Sequence, residues 1–281
     1  MTRVAFVTDS ASDLDPALAA ADGIRIVPLS VTFGEQSFRA GVDLTTEQFW
    51  ARMTAPDAPF PKTAAASPGE FKAVYDEVFA AGADAIVSIH VAGTLSGAIK
   101  SAEVAKGLLS DREIHIVDSN GASMAEGILA YMGLDMAALG VSAAEIARVL
   151  ADRASDLRMY VSLETLEYLR KGGRISGAQA AIGTFLSVKP IIAVEDGKVE
   201  TADKPRTRSK SRERCIELIC ARPIERVAIL HTLAPDVEEF KAEVARRSGI
   251  DPATIMVSVV GPSVGPHLGP GCVGAAVLYK R

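Results

Sequence analysis

Residues 165–176 read Thr165-Leu-Glu-Tyr-Leu-Arg-Lys-Gly-Gly-Arg-Ile-Ser176. A charged helical stretch runs into paired glycines, which stop a helix because glycine alone takes a left-handed cap without strain. Arg174 stands at the turn as an exposed cation. An almost uncharged Ala/Gly-rich segment, Ile175 to Val188, follows at once. The order puts an amphipathic helix, a glycine stop, a positive charge and a buried apolar segment side by side.

Upstream of this stretch, Val4–Thr8, Asp84–Ile89 and Glu113–Val117 are short β-branched runs, each followed by a loop and a helical pattern. Strands alternating with helices predict a parallel, Rossmann-like sheet covered on both faces. Ligands of such sheets bind beyond the carboxyl ends of the strands. The loops Thr8–Asp13, His90–Ser96 and Asp118–Ala122 are therefore candidate site loops. Ser67-Pro-Gly-Glu70 is a helix start with Ser67 as N-cap, and Thr45-Thr-Glu-Gln48 has the same capping-box spacing. Helical patterns cover Ala122–Leu139 and Ser142–Ser155.

Near residue 156 the pattern changes. Arg158–Ser162 and Pro190–Val194 read as strands, and Asp196-Gly197 turns the chain into Lys198–Thr201 as a hairpin. Arg226–His231, a helix around Asp236–Arg247 and a strand over Thr254–Val260 complete a second α/β unit. The expectation is an α/β chain of two domains, residues 1–155 and a smaller 156–281. A chain of 281 residues is long enough to divide its core in this way.

Composition narrows the function. With 48% hydrophobic and 23% charged residues and a net charge of -5, the chain has the balance of a globular protein without a nucleic-acid footprint. Three cysteines without C-x-x-C spacing point to a reduced, cytoplasmic setting. Met1–Asp9 reads as a strand and not a signal peptide. Pro252–Tyr279 carries no Asp, Glu, Lys or Arg, but its prolines and glycines break any spanning helix, so two buried strands around a Gly/Pro loop are expected and no membrane insertion.

Few residues offer chemistry. In Gly93-Thr-Leu-Ser-Gly97, Ser96 either caps the helix that follows or joins its free N–H groups in an anion site. The spacing is not that of a P-loop. Thr63 is a loop hydroxyl among alanines. Gly261-Pro-Ser-Val-Gly265 matches a nucleophile elbow, but Pro266, Gly269, Pro270 and Gly271 forbid the helix an elbow needs. His267 is a loop histidine able to donate to a carboxylate or pair with one as a cation. No histidine has metal-ligand spacing. From Lys204 to Arg214 a cation recurs at every second position, either a solvated face or, on extended chain, a docking face for an acidic partner.

Six segments together resemble the DegV family of fatty-acid-binding proteins: Val7-Thr-Asp-Ser10, Ser67-Pro-Gly-Glu-Phe71, Leu95-Ser-Gly97, Val117-Asp-Ser119 with Ala122-Ser-Met124, Thr165–Ser176, and Gly261–Gly271. The resemblance spans the chain. It implies a long-chain fatty acid held between two α/β domains, with its carboxylate on Thr63, Ser96, the Gly97 amide and His267. It implies no cofactor and no catalysis by the chain itself; a separate fatty acid kinase phosphorylates the presented acid. Arg174 and Arg206 are then candidates for contacts with that partner. The segment Ile175–Val188 and the helix Ala122–Ala138 would wall the acyl tunnel. Ala64-Ala65-Ala66 and Ala98-Ile99 depart from the family's Ser-Gln-Pro and Thr-Tyr. The rival readings are a serine-dependent acyl hydrolase or transferase using Ser96 or Ser263, and a lipid-responsive sensor.

Overall fold

The computed structural model describes residues 3–175 and 188–281. The first half opens with β1 (Val4–Asp9), α1 (Pro16–Ala21) and β2 (Ile24–Val27). An excursion follows: β3 (Ser30–Phe33), β4 (Gln36–Arg39), α2 (Thr46–Met53) and β5 (Lys62–Ala64). The chain then returns through α3 (Pro68–Ala80), β6 (Ala85–His90), α4 (Ala98–Gly107) and β7 (Glu113–Asp118). Strands β2-β1-β6-β7 form an all-parallel sheet, and β4-β3-β5 a small antiparallel one. Both predicted capping boxes close: Ser67 Oγ accepts from Glu70 N–H, and Glu70 accepts from the Ser67 amide at 2.7 Å.

Next come α5 (Met124–Ala138), α6 (Ala143–Arg153), β8 (Leu157–Ser162), α7 (Glu167–Lys171), β9 (Ile191–Glu195) and β10 (Lys198–Asp203). The chain finishes with α8 (Arg208–Ile219), β11 (Ile224–His231), α9 (Val237–Ser248), β12 (Met256–Val259), α10 (Gly265–Leu268) and β13 (Val273–Tyr279). The second sheet runs β10-β9-β8-β13-β11-β12, antiparallel except for the parallel β11–β12 edge. The expected α/β architecture, a parallel sheet followed by a separate mixed sheet, is what forms. The 3-10 turn Ala154–Asp156 joins α6 to β8, and the expected division at 155/156 falls within it.

Helix α5 lies between the two sheets, touching β1 and β6 on one side and β8, β11 and β13 on the other. Its first half, Met124–Ala130, is buried throughout, while Asp135 and Ala138 are exposed. Its glycines are there for closeness: a Cβ on Gly133 would stand 2.5 Å from Phe6, and one on Gly127 2.9 Å from Leu14. The first half of the helix is therefore core, and of the proposed wall Ala122–Ala138 only Ala122 reaches the apolar pocket described below.

Three local expectations change. Thr63 is on strand β5, opposite Val31, and not in a loop. The end of the chain holds two strands, but β12 is an edge strand with Val257 and Val259 38% and 42% exposed. The Gly/Pro loop also contains one helical turn, α10, because Pro266 sits in its first turn, where no N–H is needed.

The basic run is not extended either. Thr207 caps α8, which winds the alternating cations around a helix. Arg208 and Arg212 pair with Asp236, Arg212 also donates to the Ser162 and Gly271 carbonyls, and Arg214 pairs with Asp203 and Glu217. Three of the six cations of the run, Arg208, Arg212 and Arg214, are thus paired within the chain, and of these Arg212 is buried. All three cysteines are free thiols.

Candidate functional site

A narrow slot of about 100 Å³ opens between the two sheets. Its walls are apolar. Met159, Val161, Ile192, Val194 and Val199 come from β8, β9 and β10, facing Ala11, Leu29, Val91 and Ala122. Polar groups line the same slot at Thr63, Ser96, Gly97, Arg174, Ser263 and His267. Of the proposed wall Ile175–Val188, residues 176–187 lie outside the described residues.

Thr63 and His267 are 204 positions apart, and Thr63 Oγ1 shares a 3.2 Å hydrogen bond with His267 Nε2. His267 Nδ1 is buried and has no partner among the described residues. A buried acceptor left bare costs less than a buried N–H left bare, so the proton belongs on Nε2. Nε2–H then donates to Thr63, leaving the threonine O–H free to point at a ligand. Burial, and secondarily the Arg174 guanidinium, push the His267 imidazolium down to about 4. The ring is neutral at neutral pH, which removes its expected second role as a cation.

Arg174 supplies the positive charge instead. It is half-buried and not an exposed cation: Nε donates to the Leu95 carbonyl at 3.2 Å and Nη1 to the Gly172 carbonyl at 2.8 Å. The bond to Leu95 ties the α7 turn to the loop before α4. There Ser96 Oγ accepts from the Ala98 N–H at 3.2 Å, so it does act as a local cap. Gly97 is the N-cap of α4, and its own N–H has no partner among the described residues. A free amide at the positive end of a helix suits an anion. Arg206 is elsewhere: it is exposed, has no ion-pair partner among the described residues, and does not line the slot.

The loops that shape the slot are held by a buried polar chain that sequence reasoning passed over. Tyr75 OH meets Ser88 Oγ at 2.9 Å, Ser88 Oγ meets His90 Nε2 at 2.7 Å, and His90 Nδ1 meets Asp9 Oδ2 at 3.0 Å. The other Asp9 oxygen accepts from the Ala11 amide. Ser88, His90 and Asp9 have the connectivity of a hydrolase triad, yet all three are 0% exposed, so no substrate reaches them. Ser88 and His90, two apart on β6 and on one strand face, were the available signal. Ser263 Oγ bonds Ser10 Oγ at 2.8 Å, and neither Ser96 nor Ser263 has a histidine partner among the described residues. Nothing in this geometry activates either serine.

Hairpin β9–β10 closes one side. At its tip, Gly197 N–H donates to the Asn120 carbonyl at 2.9 Å, and its carbonyl accepts from Thr94 Oγ1. On the far side of the Ser10–Ser263 contact lies a larger groove of about 850 Å³, lined in part by Asp13, Leu18, Trp50 and Val257, but containing none of Thr63, Ser96, Gly97, Arg174 or His267. Size favours that groove; the convergence of polar groups on an apolar wall favours the slot. Among the described residues no three His, Cys, Asp or Glu side chains are placed to hold a metal, and no helix is long and apolar enough to cross a membrane.

Asp13 ties the closing loop to the first sheet. Its Oδ1 accepts from the Gly261 N–H at 2.8 Å, while Oδ2 is buried without a hydrogen-bond partner among the described residues. Burial pushes its carboxyl up from 3.8 to about 7. The folded state therefore holds a proton there that the unfolded chain releases near pH 4. Stability from this group is complete at low pH and is lost as pH rises through about 7. Asp13→Asn keeps an oxygen acceptor for Gly261 and removes the titration. Between pH 5 and 8 the variant should gain in Tm on the parent as pH rises; parallel Tm–pH curves would refute this.

A family model described as "Uncharacterised protein, DegV family" matches residues 3–280. A DegV domain-containing protein of Streptomyces coelicolor is 34% identical over 286 residues, covering 99% of each chain. The chain belongs to the DegV family. Among solved structures, a fatty-acid-binding DegV family protein from Thermus thermophilus superposes with a TM-score of 0.90 at 31% identity, over 99% of this DegV chain and 100% of that one. A stearic-acid-binding protein from Eubacterium ventriosum gives 0.89 at 28% identity, over 100% and 99%.

Proposed function

We propose that this DegV chain binds one long-chain fatty acid, with the acyl chain in the slot between the sheets and the carboxylate at its polar end. The observation that carries the reading is the meeting of Thr63 and His267 beside Arg174 and the Ser96–Gly97 turn, at one apolar cavity. Fatty-acid binding by the Thermus thermophilus and Eubacterium ventriosum relatives supports it. Thr63, Ser96 and the Gly97 N–H hydrogen-bond the carboxylate, neutral His267 aims the Thr63 hydroxyl at it by donating Nε2–H to Thr63 Oγ1, and Arg174 is its counter-charge. Hydrogen bonds to a charged group contribute about 1.5–3 kcal/mol each. Each buried CH₂ contributes about 0.8 kcal/mol, so the tail supplies most of the affinity and the head group sets the register.

A space of about 100 Å³ holds only a few waters. A long acyl chain enters only if the walls part. The protein does no chemistry of its own: it presents the carboxylate to a separate, cytoplasmic fatty acid kinase, which forms the acyl phosphate. Exposed Arg206 belongs to that docking surface. The kinase half of the proposal rests on the family resemblance.

Native mass spectrometry of protein purified from its own host, with extraction of the bound lipid, tests the binding. One fatty acid per chain is expected. A protein that arrives empty and takes up no added oleate or palmitate would sink the reading.

A further inference from the structure

We infer that Gly172 is a positioning residue of the head-group site: its missing side chain is the space in which the His267 ring sits. The inference rests on the reading of Thr63 as a carboxylate donor that His267 aims. A Cβ built on Gly172 would stand 2.9 Å from His267 Cε1 and closer still to Nδ1. Real Cβ atoms essentially never approach a heavy atom within 3.0 Å. The imidazole cannot back away and still reach Thr63, because its Nε2 is already 3.2 Å from Thr63 Oγ1.

The backbone does not demand glycine here. Gly172 caps α7 at φ -77 and ψ -8, an ordinary right-handed conformation that any residue adopts. Its neighbour shows the opposite case. Gly173 has φ +71, where side chains are strained, and open space around its Cβ position. The paired glycines thus have separate tasks: Gly173 turns the chain, and Gly172 makes room for the ring. The Gly172 carbonyl also accepts from Arg174 Nη1 at 2.8 Å, so one residue sets both the neutral donor and the cation of the site.

A double-mutant cycle tests this with oleate as the probe. Gly172→Ala should weaken oleate binding by about tenfold or more, the loss of one hydrogen bond to a charged group. His267→Ala should do the same. Because both act on one ring, Gly172→Ala should cost almost nothing further in the His267→Ala background. Two losses that multiply would overturn the inference.

Tm provides a second reading without any ligand: Gly172→Ala should lower it in the parent and much less beside His267→Ala. If Gly172→Ala fails to fold alone but folds in the double variant, the inference stands; if both fail, it falls. Imidazole NMR of Gly172→Ala should show His267 titrating nearer its usual 6.5 than about 4, since the ring is driven from its buried position. An unchanged titration would count against the idea. A parent protein that binds no oleate would remove the proposed ligand class, while the Tm and NMR arms would still decide the role of Gly172.

Discussion

Trp50→Ala is expected to destabilise the protein by about 3–5 kcal/mol, the usual cost of emptying a fully buried aromatic site. Trp50 is 2% exposed and packs edge-on against Phe49 at 4.9 Å between centroids. Its indole N–H donates to the Val260 carbonyl at 2.8 Å, across 210 positions. Gly265 lies flat on the same pair: a Cβ there would stand 2.6 Å from Phe49 and 3.0 Å from Trp50. The excursion that carries α2 is therefore the platform for the loop 260–271, which bears His267. Alanine leaves a cavity under that loop and an unpaired buried carbonyl. Both stability and oleate affinity should fall, although Trp50 does not line the slot. Urea unfolding followed by circular dichroism measures the first, since Trp50 is the only tryptophan and its fluorescence goes with it. A loss below about 1 kcal/mol would show that the loop stands without the platform.

The double variant Thr63→Ala, Ser96→Ala is expected to weaken fatty-acid binding by at least about a hundredfold. Two hydrogen bonds to a carboxylate are removed at about 1.5–3 kcal/mol each, and about 1.4 kcal/mol is a factor of ten. The fold should tolerate the change. Thr63 is half-buried on a three-residue strand, and Ser96 gives the α4 terminus one capping bond whose loss costs about 1 kcal/mol. Oleate titration against the parent, with Tm measured on the same samples, separates the two effects. Binding within threefold of the parent would move the carboxylate away from this end of the slot.

Much of the fold was legible because its signals are local. The capping boxes at Thr45 and Ser67, the Asp196-Gly197 turn and the β-branched runs of β1, β6 and β7 each need only a few neighbouring residues. The readings that failed needed distant ones. Alternating cations from Lys204 to Arg214 look like an extended face until Thr207 caps a helix and Asp236, from another element, pairs with two of them. Thr63 looks like a loop hydroxyl until β3 arrives beside it. Pro266 looks like a helix breaker, but in a first turn it breaks nothing.

The site divides in the same way. Thr63, Ser96, Gly97 and His267 follow from motifs, whereas Arg174, which after a glycine stop reads as solvent-facing, is half-buried at the slot. Sequence by itself determined the order of strands and helices, the stops and turns, and which few residues carry polar chemistry beside apolar chain. Tertiary structure alone decided that Thr63 meets His267, that His267 is neutral, that Arg174 turns inward, and that Ser88, His90 and Asp9 are sealed off. Secondary structure follows from steric and hydrogen-bond rules acting over a few residues. Charge state and contact follow from burial and from distances between residues up to 204 positions apart, which no local rule contains.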